Sequence, residues 1–105
     1  CAEAVIALRR RHPDITLEAA VPYDGQEARW NSALQERYRR ILCECNTVTL
    51  LRDSYSPDCM MKRNRYMVDH SSVIIACYGG ESGGTRNTIK YATDKDKEII
   101  QLSVL

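Results

Sequence analysis

The residues best suited to chemistry are an Arg-Asn-Arg run at 63–65 and four glycines between positions 79 and 84. A guanidinium group binds phosphate through paired hydrogen bonds, and glycine lets backbone N–H groups approach an anion closely. Many α/β proteins hold a phosphate where a strand leads through a glycine-rich turn into a helix. We therefore interpret residues 60–92 as the binding site of a phosphate-bearing ligand.

The three residues of the run are expected to play different roles. Arg63 and Arg65 lie about 200° apart on a helix, so they cannot both face one cleft unless the helix ends or distorts there. We expect Arg63 to reach the phosphate, and Arg65 to pair with Asp69 or to brace a loop or a partner. Asn64 shares a stripe with apolar residues, so we expect its amide to bond the glycine turn. The alternative for each residue is a solvated helix face.

The glycine turn is expected to bind the anion through backbone N–H groups and neighbouring hydroxyls. It matches neither a Walker A loop nor the dinucleotide-binding pattern G-x-G-x-x-G, and a purely structural turn is the alternative. Glu81 is its only carboxylate, and local spacing indicates no catalytic grouping and no metal site. We predict no catalytic residue, no metal and no cofactor. The predicted ligand-binding residues are Arg63, Asn64, Arg65, Gly79, Gly80, Ser82, Gly83, Gly84, Thr85 and Asn87.

Alternating helices and strands must position these residues. Apolar residues at helical spacing predict helices over residues 2–11, 28–45, 58–70 and from 85 onward. Short β-branched runs predict strands near residues 15–21, 46–51, 72–77 and 98–103. The resulting α-β-α-β-α-β-α-β order predicts a mostly parallel sheet with helices on its faces, in a single domain over residues 1–105.

Charge and composition exclude several partners. The 15 basic and 14 acidic residues leave a net charge of about +1, so a nucleic-acid partner would need a local basic patch. No apolar run approaches the ~20 residues that a membrane span needs. The five cysteines are odd in number and fall on predicted helices and inside a strand. That distribution is typical of a reduced, cytoplasmic protein rather than of a disulfide framework.

The chain resembles the SLOG superfamily of Rossmann-like proteins, in particular its YpsA-like branch of bacterial proteins. The resemblance rests on A-E-A-V at residues 2–5, V-P-Y-D-G-Q-E-A-R-W at 21–30, Y-S-P-D-C-M-M-K-R-N-R-Y-M-V-D at 55–69 and G-G-T-R-N-T at 83–88. It implies a Rossmann-like three-layer α/β domain. It also implies a nucleotide or nucleotide-derived ligand, bound in the role of a sensor or regulator.

Two more distant resemblances supply the alternatives. The chain is similar to DprA, in which R-N-R precedes a strand and S-G opens the next helix, as residues 63–65 and Ser82-Gly83 do here. That resemblance implies binding of single-stranded DNA. The chain also resembles the LOG phosphoribohydrolases, which cleave nucleoside monophosphates, through Arg63 and the glycine turn. The proline and the glutamate of the LOG motif are replaced here by Tyr78 and Thr88. Without the glutamate, no residue is identified that could act as the acid or base in cleavage.

One departure from the SLOG pattern concerns the start of the chain. SLOG proteins carry a first strand and further glycine motifs before the helix with which this chain begins. We therefore expect an N-terminally incomplete SLOG domain. Because an uncovered sheet edge invites pairing with another chain, we also expect self-association.

Overall fold

The computed structural model describes residues 2–77 and 83–102. Helices and strands alternate in the predicted order, and the strands pair in parallel. The elements are α1 (Ala2–Arg9), β1 (Glu18–Val21), α2 (Ser32–Glu44), β2 (Thr47–Leu50), α3 (Cys59–Asp69), β3 (Val73–Cys77), α4 (Gly84–Asp94) and β4 (Glu98–Leu102). This order and the parallel pairing confirm the predicted Rossmann-like α/β class.

The chain divides into two compact units, Cys1–Tyr55 and Ser56–Leu105. Within the described ranges, each unit contains two helices and one parallel pair of strands. β1 pairs with β2 in the first unit, and β3 pairs with β4 in the second. The prediction that residues 1–105 form one domain stays a prediction.

In the first unit, α2 begins four residues later than the sequence pattern predicted. The side chain of Asn31 accepts a 2.9 Å hydrogen bond from the N–H of Leu34 and so caps the helix at this point. Residues 25–30 form hydrogen-bonded turns instead. Trp30, which falls inside the helix predicted over residues 28–45, therefore lies in the preceding loop and is 42% exposed.

Ion pairs fasten α1 to α2. Arg37 of α2 bonds the carboxylate of Glu3, with its Nε 3.0 Å from Oε1. Arg9 lies 3.2 Å from the carboxylate of Glu44 and also donates a 2.8 Å hydrogen bond to its backbone carbonyl. A further bond of 2.9 Å joins Arg9 to the side-chain oxygen of Asn46, at the start of β2. Side chains of opposite charge thus meet across the contact between the two helices.

In the second unit, α4 connects β3 to β4 and packs on both strands and on α3. The buried side chains of this unit include Val68 of α3, Ala76 of β3 and Ala92 of α4. These residues form the core of a β-α-β arrangement. Because α4 follows β3, it begins beyond the carboxyl end of that strand, the edge at which open α/β sheets bind ligands.

One face of the β3–β4 pair is exposed and mostly apolar, with the charged Glu98 opposite Val73 at its end. The register places Ile75 opposite Ile100. Since side chains alternate between the two faces of a strand, Val73 and Leu102 lie on the same side. Between 42% and 66% of each of these four residues is exposed. We call this surface the exposed β3–β4 face.

Candidate functional site

Arg63 lies half-buried on α3, next to Asn64. Its Nε donates a 2.9 Å hydrogen bond to the side-chain oxygen of Asn64. Burial lowers the pKa of the Arg63 guanidinium below its ordinary value, and the Cys59 thiol opposes that shift. A cation that has lost part of its hydration interacts more strongly with an anion than a fully solvated one does. The surroundings of Arg63 therefore suit an anionic ligand.

Arg65 braces α4. Its guanidinium carbon lies 5.3 Å from the centre of the Tyr91 ring, and the Tyr91 hydroxyl donates a 2.8 Å hydrogen bond to Asp69. The sequence pattern paired Arg65 with Asp69 directly, whereas in the structure both residues contact Tyr91. The hydrogen bond to Asp69, burial and the Asp69 charge raise the pKa of Tyr91, and the positive charge of Arg65 opposes them. Arg65 thus contributes to the packing of α3 on α4.

The start of α4 leaves backbone donors without partners inside the helix. Gly83 has φ 138° and ψ −159°, a conformation that is essentially restricted to glycine. It cannot cap the helix with a side chain, and the first hydrogen bond of the helix runs from the N–H of Asn87 to the Gly83 carbonyl. The N–H groups of Gly84 and Thr85 therefore belong to the first turn, where the helix itself offers no acceptor. The positive end of the helix dipole adds to their attraction for an anion.

The positions of α3 and α4 along one another follow from their connections. β3 and β4 are parallel, so both begin at the same edge, and α3 and α4 each end a few residues before one of them. The two helices therefore run in the same direction from the opposite edge. Because each helical residue adds ~1.5 Å, Arg63 lies ~3 Å nearer than Arg65 to the end where α4 begins. Of the two arginines, Arg63 is therefore the one nearer to the start of α4, where the phosphate is predicted to bind.

The predicted site is only partly covered by the described residues. Gly79, Gly80 and Ser82 lie outside them, together with the rest of the turn from Tyr78. The expected hydrogen bond from Asn64 to the turn therefore stays a prediction. The structure brings Arg63 and Asn64 together on α3, and it places Gly83, Gly84, Thr85 and Asn87 at the start of α4.

Sequence reasoning missed two groups of residues. Tyr91 joins α3 to α4. The only feature of the sequence that pointed to this contact is that Tyr91 is an aromatic residue with a polar hydroxyl on an amphipathic helix. The aromatic loop around Trp30 was assigned to α2 because its spacing fits a helix, although Asn31 is a strong N-cap residue. The N-cap signal of Asn31 places Trp30 outside the helix.

Within residues 2–77 and 83–102, no three His, Cys, Asp or Glu side chains are grouped in a way that could hold a metal ion. Of the helices described, none is long and apolar enough to cross a membrane.

The sequence of the chain is similar to those of several bacterial proteins. The model of the YspA SLOG family matches residues 1–104. The Uncharacterized SPbeta prophage-derived protein YoqJ of Bacillus subtilis is 33% identical over 97 residues, which are 81% of this chain and 57% of that protein. UPF0398 proteins of Bacillus thuringiensis and Bacillus cereus are 29% identical over 100 residues, or 93% of this chain and 54% of theirs. The chain thus spans about half the length of the curated relatives it matches.

Proposed function

Because this chain belongs to the YspA SLOG family, we propose that its unit Ser56–Leu105 binds the phosphate group of a nucleotide or nucleotide-derived ligand. Its role is that of a bacterial sensor or regulator that responds to the ligand. The observation that carries the proposal is the half-buried Arg63 on the helix that packs beside α4, at whose start Gly83 has no side chain to cap the first-turn N–H groups.

Two kinds of donor would share the phosphate. The first-turn N–H groups of α4 bind anions without a charged side chain, because they point along the axis of the helix dipole. The guanidinium of Arg63 adds a full positive charge and a planar pair of donors. Its partial burial means that an anion replaces little water, so the interaction is less screened than at an exposed arginine.

The ligand-binding set that we propose is the one predicted from the sequence. Arg63 and Asn64 act from α3, and Arg65 positions α3 against α4 through Tyr91. The backbone of the glycine turn and the Thr85 and Asn87 side chains, which are exposed, complete the site. The full set is Arg63, Asn64, Arg65, Gly79, Gly80, Ser82, Gly83, Gly84, Thr85 and Asn87.

A nucleoside monophosphate phosphoribohydrolase is the second candidate. Thr88, at the position of the LOG glutamate, donates a 2.8 Å hydrogen bond to the Gly84 carbonyl. A hydroxyl engaged in this way donates its proton to the backbone of α4 and has no acidity suited to cleaving a glycosidic bond. This contact favours binding over hydrolysis. Release of a free base from a nucleoside monophosphate would establish the enzyme instead.

A DprA-like binder of single-stranded DNA is the third candidate. Binding to the DNA backbone releases counterions, so its affinity falls steeply as salt concentration rises. A site for one phosphate group loses much less affinity over the same range. The dependence of affinity on salt therefore separates a nucleotide site from a DNA site.

The deciding experiment is calorimetric titration of the protein with nucleoside mono- and diphosphates and, in parallel, with single-stranded oligonucleotides. Saturable binding of a nucleotide with a shallow salt dependence supports the proposal. Binding of the oligonucleotides alone, or of none of these ligands by the folded protein, would refute it.

We also propose that the protein is cytoplasmic and self-associates. Cys43, Cys45, Cys59 and Cys77 are free thiols, as expected in a reducing compartment. The exposed β3–β4 face supports self-association, because contiguous apolar surface of this kind is favourable to bury. Sedimentation at several protein concentrations tests this, and a single monomeric species at all of them would exclude it.

A further inference from the structure

The loops that follow β1 and β2 form a cleft with aromatic walls in the first unit. The N–H of Leu51 bonds the Val21 carbonyl at 3.0 Å, and the N–H of Asp24 bonds the Arg52 carbonyl at 3.1 Å, so the two loops are tied together. The cleft has a volume of about 560 Å³, within the range of small-molecule pockets. It is lined by Tyr23, Gly25, Gln26, Ala28, Arg29, Trp30 and Tyr55.

Neighbouring rings hold the aromatic walls in place. Tyr23 and Tyr55 meet edge to face, with ring centres 5.4 Å apart and planes at 80°. Trp30 meets Tyr38 in the same way, at 5.4 Å and 84°. An edge-to-face contact engages at most one face of each ring, so ring surface remains available to a ligand. Accordingly, 42% of Trp30 and 65% of Tyr55 is exposed.

The polar groups of the cleft suit a heteroaromatic ring. Arg29 contributes a positive charge to the lining. Gln26 contributes a side-chain amide, whose NH₂ group donates a 3.3 Å hydrogen bond to the Tyr38 hydroxyl. The amide oxygen is an acceptor for an N–H donor of a ligand. Nucleobases combine a planar ring that stacks on aromatic side chains with N–H groups at their edges.

We propose that this cleft binds the planar base of a nucleoside, stacked on Trp30 and Tyr55. The cleft lies beyond the carboxyl ends of two parallel strands, the position at which open α/β sheets bind ligands. Every lining residue belongs to the unit Cys1–Tyr55. The proposal therefore does not rest on the phosphate site assigned to the other unit.

Trp30 is the only tryptophan of the chain, so its fluorescence reports directly on the cleft. The test is a titration of the full chain with adenosine, guanosine, cytidine and uridine, none of which carries a phosphate. We expect at least one of them to change the Trp30 emission saturably. Because stacking on one aromatic side chain is worth ~1–3 kcal/mol, Tyr55→Leu should weaken that binding at least about fivefold. Tyr55→Phe, which keeps the ring, should bind nearly as well as the natural protein.

Arg39→Ala is the matched control, because Arg39 is exposed on α2 and does not line the cleft. Circular dichroism verifies that each variant is folded. The proposal is overturned if no nucleoside gives a saturable change, if Tyr55→Leu binds as well as the natural protein, or if only oligonucleotides bind. Titration with inorganic pyrophosphate tests the phosphate site alone, so failure of one proposal is distinguishable from failure of the other.

Discussion

The hydroxyl of Tyr91 donates a 2.8 Å hydrogen bond to Asp69, and this bond joins α4 to the last residue of α3. Arg65 approaches the ring of the same tyrosine, with its guanidinium carbon 5.3 Å from the ring centre. A single aromatic residue therefore links two charged groups of α3 to α4. The relative position of the two helices that carry the candidate phosphate site depends on this link.

The first prediction concerns the pH dependence of stability. The pKa of Tyr91 is raised above 10.0, chiefly by its hydrogen bond to Asp69. A raised pKa in the folded state means that the contribution of Tyr91 is complete below the unfolded value and is lost as pH rises through the folded value. We expect Tyr91→Phe to lower stability at neutral pH, and the difference from the natural protein to shrink above pH 10.0.

Urea denaturation at a series of pH values measures this difference. Tyr55→Phe serves as a control, because Tyr55 is 65% exposed and lies outside the α3–α4 contact. If the natural protein and Tyr91→Phe keep a constant difference in stability up to strongly alkaline pH, the hydrogen bond does not contribute as described.

The second prediction separates the roles of the two arginines. Arg63→Ala should weaken binding of a phosphate-bearing ligand by ~1.5–3 kcal/mol, the range for a hydrogen bond to a charged group. Arg65→Ala should have a smaller effect on affinity and should lower stability, because it removes the contact with Tyr91. Calorimetric titration of both variants with one nucleotide, together with their denaturation curves, measures both effects. Unchanged affinity in a folded Arg63→Ala variant would refute the assignment of Arg63 to the phosphate site.

The third prediction concerns the turn before α4. Gly83 has φ 138°, so Gly83→Ala should destabilise the protein by ~1–3 kcal/mol through backbone strain. Gly84 begins the helix, and a Cβ there meets no atom of residues 2–77 or 83–102 within 4 Å. Gly84→Ala should therefore be neutral or stabilising by up to ~1 kcal/mol, since alanine restricts the unfolded chain. Equal stability of the two variants in denaturant titrations would contradict the conformation described for Gly83.

The fourth prediction concerns Cys43 and Cys45, two cysteines at the end of α2. Burial raises the pKa of the Cys45 thiol, although Arg9 opposes the shift, and the thiol donates a 3.3 Å hydrogen bond to the Ile41 carbonyl. Cys43 is exposed. Because the thiolate is the reactive form, we expect iodoacetamide to modify Cys43 several times faster than Cys45 near neutral pH. Peptide mass spectrometry after timed labelling measures both rates, and the urea-unfolded protein, in which they should converge, is the control.

The strands and most helix boundaries could be predicted because they depend on local patterns. The β-branched run at Val73–Cys77 and the glycines after it identified β3 and the start of α4 from sequence alone. The start of α2 could not be found from apolar spacing, because Trp30 fits the helical spacing of the residues that follow it. The helix nevertheless begins only after Asn31, whose side chain caps it. Two local signals conflicted there, and the cap prevailed.

Side-chain contacts between residues far apart in the sequence could not be predicted. The charges of Arg65 and Asp69 predicted an interaction within α3, but the sequence holds no local signal that Tyr91 contacts both. The aromatic cleft similarly depends on Tyr55, which follows β2, meeting residues of the loop after β1. Such contacts are set by the parallel pairing of strands, which brings loops distant in sequence to one edge.

The exposed β3–β4 face has a practical consequence for ligand screening. Environment-sensitive dyes fluoresce when they adsorb to apolar surface, and Val73, Ile75, Ile100 and Leu102 offer such surface in the folded protein. A dye-based melting assay should therefore start from a high signal at low temperature, and the rise on unfolding should be small. Label-free readouts, such as the intrinsic emission of Trp30 or the heat of binding, are better suited to identifying the ligand.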